Sequence, residues 1–420
     1  MSITDRPSVL EGSDYLAFDD CKIKADMVAV AKTLVPQALD SVELPDFVSS
    51  TMRAPAHKWR ISSAWQKAIR RGDVQVALRM ASALDDHDPS YIPKRAATVL
   101  LEDIAHADPL LLATFMPMLG HLGWIAKEFT TRQFALKLTY LMCLAVKSRA
   151  TCDLAEWIDC AVKLSKTAHD MVYGHSGLPL NELSELACNP HADPHHRGLA
   201  LWSFLGTKKY PGGFAPPNIG GSAPEIVSDL VDNGLPAWAK VLFDVCGSKM
   251  SNNLPVAWLS VELALHSYPD VTVRDPLHPR WEPAMIGNYP DYTFEYHCAE
   301  GKSALRYMVA ACEPLREYFS SLTPPITDKP GMMMALSCLV FRSEAGFLSK
   351  ALSFHRSETI QRECELVTSA AYGIPVDRFD QGMALLHANR ASLDYARRRV
   401  LNVIPSGSTK PKMISMKDLA

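Results

Sequence analysis

Apolar residues recur every three or four positions over much of this chain, the spacing of a helix that buries one face. The pattern is clearest between residues 57 and 115. Ser62 and Ser63 can cap a long amphipathic run, and Gly72-Asp73 interrupts that run and can begin a new turn. Its apolar members are Trp65, Ile69, Val76, Leu78 and Ala81. The pattern therefore predicts helical structure on both sides of the Gly-Asp dipeptide.

A second helix is predicted from about Ile92 to His106, with an apolar stripe formed by Val99, Leu100 and Ile104. Asp108-Pro109 marks its end, because the residue before a proline is disfavoured in the helical conformation. The stretch from 57 to 115 is therefore predicted to be two helical units with a loop between them.

The same periodicity predicts further helical segments at 25–34, 110–122, 130–147, 154–171, 224–231, 235–245, 255–266, 304–319, 332–341, 346–355, 357–372 and 376–403. A stretch rich in proline and glycine, 172–224, lies between the two halves. The predicted fold is all-α, a helical bundle with a second helical region behind it. The predicted parts are an N-terminal arm over 1–56, a bundle over 57–225, a C-terminal helical domain over 226–404 and a flexible tail over 405–420. A partly disordered leader is an equal alternative for the arm.

Composition places few limits on function. Hydrophobic residues make up 48% of the chain and charged residues 21%, as in ordinary globular proteins. The net charge of −3 provides no general attraction to nucleic acid, so any nucleic-acid surface must be a local basic patch. Ten scattered cysteines without a Cys-x-x-Cys pair favour reduced thiols. With no signal peptide and no apolar run of about 18 residues, we expect a soluble cytoplasmic protein with no membrane partner.

Motifs within residues 57–150 resemble those of a known family. The first comprises Ser63, Ala64, Lys67, Ile69, Arg70, Gly72, Asp73, Ala77 and Leu78. The second comprises Ile92, Arg95, Glu102, Asp103, Ile104, Ala107, Asp108 and Pro109. In order and spacing they resemble the helical collar that follows the ATPase core in RarA/MgsA replication-associated recombination proteins and their Werner-helicase-interacting relatives, which belong to the clamp-loader-like AAA+ clade.

The resemblance covers about a fifth to a quarter of the chain. It implies a clamp-loader-type collar over 57–225 and a homo-oligomer, because this bundle forms tetramers in the family. The 56 residues that precede the collar are too few for the family's nucleotide-binding core. ATPase activity is therefore not implied.

The segment 289–302 combines aromatic residues, acids, a histidine and Gly301-Lys302. Proteins with RarA-like collars carry a similar Pro-Asp, His and Gly-Lys/Arg element. One interpretation is a contact surface in which aromatic faces stack on bases and Lys302 and Arg306 meet phosphates. The favoured interpretation is structural, with Asp291 capping a turn, the tyrosines packed and His297 bonded to backbone.

No catalytic motif is found: there is no phosphate loop, no Gly-x-Ser-x-Gly and no His-Glu-x-x-His. The chain is therefore predicted not to be an enzyme and to need no cofactor. Metal binding is one interpretation of the loop that holds Cys188, His191, His195 and His196. The favoured interpretation is a rigid polar loop, because the segment contains two prolines. Its spacing matches no known signature, so no metal ligand is assigned, and a cryptic metal-dependent enzyme is the third hypothesis.

The leading hypothesis is a non-enzymatic DNA replication or recombination protein, oligomeric and bound to single-stranded or branched DNA. A phage or mobile element is a compatible source. The candidate DNA-binding residues are Lys58, Arg60, Lys67, Arg70, Arg71, Lys94, Arg95, Lys302, Arg306, Arg397, Arg398 and Arg399. The helices around Lys67 and Lys94 are expected to share a face only if they pack antiparallel. The alternative is an adaptor that binds a polymerase, clamp loader or other replication or transcription protein without touching nucleic acid.

Overall fold

The computed structural model describes the chain over most of its length and confirms the all-α prediction. It describes residues 17–47, 58–104, 107–161, 178–189, 192–205, 238–249, 271–274, 283–345, 347–354, 357–404 and 409–415, with Leu10, Gly174 and Asp418. The predicted helices at 224–231 and 255–266 and half of the tail lie outside these residues.

The described helices of the N-terminal half begin with α1 (Lys24–Asp40), α2 (Lys58–Arg71), α3 (Val74–His87) and α4 (Tyr91–Val99). A π-helical turn at Leu100–Ile104 extends α4. The next helices are α5 (Pro109–Phe115), α6 (Leu122–Glu128), α7 (Thr131–Leu144), α8 (Ala150–Ala161), α9 (Leu180–Cys188), α10 (Pro194–Leu205) and α11 (Ala239–Lys249).

The C-terminal half contains α12 (Ala299–Ala311), α13 (Glu313–Ser320), α14 (Lys329–Ala345), α15 (Ser357–Ala371), α16 (Phe379–Ala388) and α17 (Arg390–Val400). Several predicted helices are divided here. The predicted helix at 304–319 breaks at Cys312, because Pro314 suits only the first turn of a new helix. The predicted helix at 376–403 breaks at Asn389, whose amide side chain bonds the carbonyls of Leu385 and Ile414.

Four short strands form two antiparallel pairs among the described residues, β1 (Thr272–Arg274) with β4 (Ala351–Ser353) and β2 (Met285–Ile286) with β3 (Tyr289–Pro290). The helix predicted at 346–355 is therefore wrong. Backbone groups around β4 bond instead to a distant segment: Lys147 donates its amide to Lys350 at 2.8 Å and accepts one from Leu352 at 2.9 Å. Such long-range pairing leaves no periodic signal in the local sequence.

The helices α2, α3 and α4 pack against one another, and the site described below is built on them. Gly72 has a φ of +62°, which a glycine adopts without strain, and Asp73 caps α3 by accepting the amide of Val76 at 3.2 Å. The chain reverses at this turn and again after α3, so α2 and α4 run parallel. Three contacts in the same order show this: Ser62 with Tyr91, Gln66 with Arg95, and Arg70 with Asp103. The prediction that the two helices share a face only when antiparallel is therefore wrong, because the parallel pair places Arg95 against Gln66, next to Lys67.

Two hydrophobic cores fill the described structure. The larger one includes Trp65, Leu84 and Leu112 of the N-terminal helices, and also Tyr292 and Phe294 from the segment 289–302. It therefore contains residues from both sides of the predicted boundary at 225/226. The smaller core is formed within α12–α17.

The segment 289–302 connects these two parts. From its buried backbone, the carbonyl of Tyr292 accepts the ammonium of Lys67 at 2.7 Å, and the carbonyl of Phe294 accepts Nε and Nη2 of Arg397 at 3.1 and 2.8 Å. Asp291 pairs with Arg390, on the same helix as Arg397. The segment thereby joins α2 to α17. These contacts support the structural interpretation, although His297 bonds the side chain of Glu295 and not the backbone.

No single described helix is both long enough and apolar enough to cross a membrane. One pair of helices bent by 101°, Pro109–Gly120 with Leu122–Glu128, has the length and composition together.

Gly301 provides a test of how tightly the segment is packed. A Cβ atom at this position would lie 1.8 Å from the carbonyl oxygen of Glu295, so Gly301→Ala must displace backbone. We expect a loss of about 1–3 kcal/mol or more in the free energy of unfolding, measured by urea titration. Gly123→Ala is the matched control, because Gly123 is also helical and a Cβ there meets nothing within 4 Å. It should be neutral or stabilise by up to about 1 kcal/mol. Equal effects of the two substitutions would contradict the close approach.

Candidate functional site

A cleft of about 730 Å³ lies between α2, α8, α14, α15 and the segment 289–302, and we call it the central cleft. Four cations line it, Lys67, Arg70, Arg95 and Arg149, together with three acids, Glu102, Glu156 and Glu295. Its aromatic lining is Trp59, Tyr296, His297, Phe341 and Tyr372. A concave site of this size that combines aromatic faces with a few charged groups is typical of ligand-binding sites.

Asp103 forms the base of the charged wall and has no exposure to solvent. Arg70 donates to its carboxylate through Nε at 2.8 Å and Nη2 at 3.3 Å, and Arg149 donates through Nη1 at 3.0 Å. Gln66 adds a further bond at 3.2 Å. Burial raises the pKa of Asp103, but the two guanidinium charges outweigh burial and hold the pKa below its ordinary value. Asp103 is therefore the counter-charge that Arg70 and Arg149 share. The π-helical turn that carries it is a kind of irregularity often found at functional sites.

A second group of charges lies behind α8. Asp153, Glu156 and Cys364 have ligand atoms within 4.8 Å of one another, close enough to hold a metal ion. The guanidinium of Arg342 already contacts all three, at 3.3 Å from Asp153, 3.0 Å from Glu156 and 3.1 Å from the Cys364 sulfur. Burial also raises the pKa of Cys364, which favours the thiol over the thiolate that a metal needs. Arg342 thus supplies the positive charge that balances these acids.

Glu295 forms a third buried pair at the opposite wall. Its carboxylate lies 3.2 Å from the ammonium of Lys67 and 2.6 Å from Nδ1 of His297. Burial raises the pKa of Glu295, but Lys67 and His297 outweigh burial and lower the pKa to about 2. Lys67 and Glu295 thereby fix the segment 289–302 against α2.

The thiols in the central cleft are poorly suited to nucleophilic chemistry. Burial raises the pKa of both Cys152 and Cys338 to about 12, so each stays protonated at neutral pH. By contrast, the aromatic rings at the cleft are accessible: Trp59 is 75% exposed and Tyr372 is 37% exposed. The cleft is thus better suited to binding than to covalent catalysis.

The twelve candidate DNA-binding cations do not form one surface. Lys67, Arg70, Arg71 and Arg397 are buried. Lys67 and Arg70 pair with Glu295 and Asp103, and Arg71 lies 4.6 Å from the ring centres of both Tyr292 and Phe347. Arg397 bonds the carbonyl of Phe294. Each of these four cations is buried against a partner inside the protein, so none of them lies on an exposed basic face.

The remaining candidates are more accessible. Lys94, Arg306 and Arg399 are exposed, and Lys58, Arg60, Arg95, Lys302 and Arg398 are partly buried. Arg60 pairs with Glu300, and Lys302 lies over the Tyr296 ring. The three arginines 397–399 point to different sides of α17, as the helical period predicts.

The histidine-rich loop is only partly described, since His191 lies outside the described residues. His195 is buried, with Nδ1 3.0 Å from Asp193 and Nε2 3.2 Å from Glu363, and its ring centre lies 4.3 Å from that of Trp157. Both ring nitrogens thus face carboxylates. This geometry does not support a metal site centred on His195.

The sequence patterns did not predict which acids pair with the buried arginines. They also did not predict that Arg149 and Arg342 belong to these pairs. In the sequence, Asp103 stands out only within the motif that resembles the RarA/MgsA collar, and no local pattern marks Asp153. A lone Arg149 between two apolar helices is a weak indication of a buried pair.

No family model, curated protein or solved structure matches the chain.

Substitution of Asp103 tests the buried charges. In Asp103→Asn the guanidinium groups of Arg70 and Arg149 lose their shared counter-charge, and we expect a loss of about 3–5 kcal/mol in unfolding free energy. Asp86→Asn is the matched control, because Asp86 pairs with Arg132 at a site where both side chains are well exposed. It should cost about 0–1 kcal/mol. A small effect of Asp103→Asn in urea unfolding would argue against the network.

The lowered pKa of Glu295 predicts that the free energy of unfolding depends on pH. Because its pKa is about 2 in the folded protein and 4.5 ordinarily, its ionised form stabilises the fold fully above pH 4.5. That contribution is lost as the pH falls from 4.5 to 2. The difference in unfolding free energy between the native protein and Glu295→Gln should therefore shrink by roughly 3 kcal/mol over this range. Urea titrations at stepped pH measure it, with the exposed Glu128→Gln as reference. A constant difference would exclude the shifted carboxylate.

Proposed function

We propose that this chain is a non-enzymatic DNA-binding protein of replication or recombination that acts as a homo-oligomer. The DNA-binding surface is the edge formed by the N-terminal ends of α2 and α4, which we call the α2–α4 edge. It carries Lys58, Lys94 and Arg95, with Trp59 beside them. The family resemblance supports the replication role and the oligomer.

The observation that carries the proposal is the position of an exposed tryptophan among accessible cations. The Lys58 ammonium lies 4.3 Å from the centre of the Tyr91 ring, one helical turn before Lys94, which bonds the Ser90 hydroxyl at 2.9 Å. Arg95 and the 75% exposed Trp59 both line the central cleft next to these lysines. Cations that meet phosphates beside a ring that stacks on a base are the usual components of single-strand binding.

Acids on the same edge limit its affinity. Asp88 lies 3.6 Å from Lys58, with both side chains about one-third exposed. Exposed pairs of this kind are weak and are easily exchanged for a phosphate. The edge therefore supports a modest, salt-dependent affinity and not a strong general attraction to DNA.

Fluorescence anisotropy with labelled single-stranded, double-stranded and branched DNA tests the proposal. We expect binding at low salt that weakens as salt rises. Lys58→Ala/Lys94→Ala should weaken it, and for single strands should lower the slope of log K against log salt by about 0.7 per lost contact. Arg306→Ala/Arg399→Ala removes the same charge from exposed positions on α12 and α17 and should have little effect.

The two pairs of variants separate the candidate surfaces. A larger effect of the Arg306/Arg399 pair would move the DNA-binding surface to α12 and α17. No binding of any DNA at low salt would overturn the proposal and favour an adaptor for a polymerase or clamp loader, to be sought by pull-down. Light scattering tests the oligomer, which a monomer at micromolar concentration would contradict.

A further inference from the structure

The charges that line the central cleft balance one another. Four cations line it, and three lining acids together with the buried Asp103 supply four negative charges. Lys67 pairs with Glu295 at 3.2 Å. Arg70 and Arg149 both bond Asp103. Burying a charge without a partner is costly, so an occupant of this cleft is favoured when the part of it that enters is uncharged.

The face of α2 that lines the cleft is uncharged at its N-terminal end. The α2 residues in the lining are, in order, Trp59, Ser62, Ser63, Gln66, Lys67 and Arg70. Their spacing places them on one face of the helix, so the first two turns of this face offer an aromatic ring and polar groups without charge. The Gln66 amide is already bonded to Glu102 at 3.0 Å and to Arg95 at 2.9 Å. Trp59, which is 75% exposed, is thus an accessible ring at this end of the cleft.

Cations lie just outside this uncharged surface, on the α2–α4 edge. Lys58 directly precedes Trp59, and its ammonium lies 4.3 Å from the centre of the Tyr91 ring. Lys94 is exposed on the neighbouring α4. Consecutive residues of a helix point about 100° apart, so Lys58 lies on the edge while Trp59 lines the cleft. Trp59 therefore stands at the boundary between an edge that carries cations and a cleft whose charges balance.

We propose that the central cleft takes one unpaired base of a DNA strand, which stacks on Trp59 while the phosphates of the strand lie on the α2–α4 edge. The base site rests on the proposed function, since the edge must hold the strand. It identifies an unpaired nucleotide as the part of DNA that the protein selects.

A nucleotide has the same division of charge as this surface. Its base is planar and neutral near pH 7, and its phosphate carries the negative charge. A base in the cleft thus adds no charge to the balanced lining, while phosphates meet Lys58 and Lys94. The cleft, of about 730 Å³, is within the size range of small-molecule sites and has room for a base and its sugar.

This arrangement disfavours a paired base. In a duplex each base is stacked within the helix and hydrogen-bonded along its edge, so it must leave the helix before it can stack on a protein ring. That step costs free energy in a duplex and little in a single strand. The base site therefore favours single-stranded segments, including those of branched DNA, whereas the cations of the edge read only phosphates.

Fluorescence anisotropy on the full chain tests the proposal with strands that differ only in their bases. One labelled strand of about 12 nucleotides is oligothymidine, and the other carries the same phosphates on abasic sugars. We expect the abasic strand to bind about tenfold more weakly at low salt, which is the contribution of one stacked base. A duplex with an oligothymidine overhang should likewise bind more tightly than the same duplex with an abasic overhang.

Matched variants assign the contact to Trp59. Trp59→Ala should weaken binding of oligothymidine about tenfold and leave binding of the abasic strand unchanged, because only a base meets the ring. Trp59→Phe keeps a ring and should retain most of the affinity. Lys58→Ala/Lys94→Ala should weaken both strands by the same factor, since both carry the same phosphates. Tyr307→Ala is the aromatic control and should change neither strand, because Tyr307 lies on α12, 5.1 Å from Arg399, and does not line the cleft.

The base site and the DNA-binding function fail in different ways. If neither strand binds, the DNA-binding function is overturned, and the base site with it. If both strands bind equally, with the same salt dependence, the DNA-binding function stands and the base site is refuted. An equal loss for both strands in Trp59→Ala also refutes stacking on this ring, and a loss confined to oligothymidine in Tyr307→Ala refutes it in favour of α12. Because Trp59 is largely exposed, its replacement leaves the core intact.

Discussion

Asp103 accepts hydrogen bonds from Arg70, Arg149 and Gln66 in a place with no access to water. The carboxylate sits on a π-helical turn, and the arginines come from α2 and from the start of α8. A buried charge is tolerated only when it is paired and hydrogen-bonded. The shared carboxylate therefore ties the π-helical turn after α4 to α2 and to the residue before α8, and the arginines that it binds line the central cleft.

The segment 289–302 also contains buried charged groups that must be paired, on the other side of α2. Its Glu295 neutralises Lys67, and the carbonyl of Phe294 receives the buried Arg397. Gly301 allows the start of α12 to approach the Glu295 backbone. The C-terminal helices are thus attached to the N-terminal helices through charged groups that are buried away from water. Apolar contacts fill the space between them.

Basic residues in this chain divide into two populations with different consequences for function. The buried basic residues contact acids, backbone carbonyls or aromatic rings, and these contacts stabilise the arrangement of the helices. Those on the α2–α4 edge have weak or neutral partners and lie beside an exposed tryptophan.

The sequence by itself determined that the chain is all-α, where most helices lie, and the turn at Gly72-Asp73, because helical periodicity and capping are local properties. It also indicated the three directions of Arg397, Arg398 and Arg399. Tertiary structure alone decided that 351–353 is a strand, that α2 and α4 run parallel, and that Lys67, Arg70, Arg71 and Arg397 are buried. The physical reason is that Asp103, Glu295 and Phe294 lie 33 to 228 positions from the cations they receive, and no local pattern records which distant acceptor a basic side chain will meet.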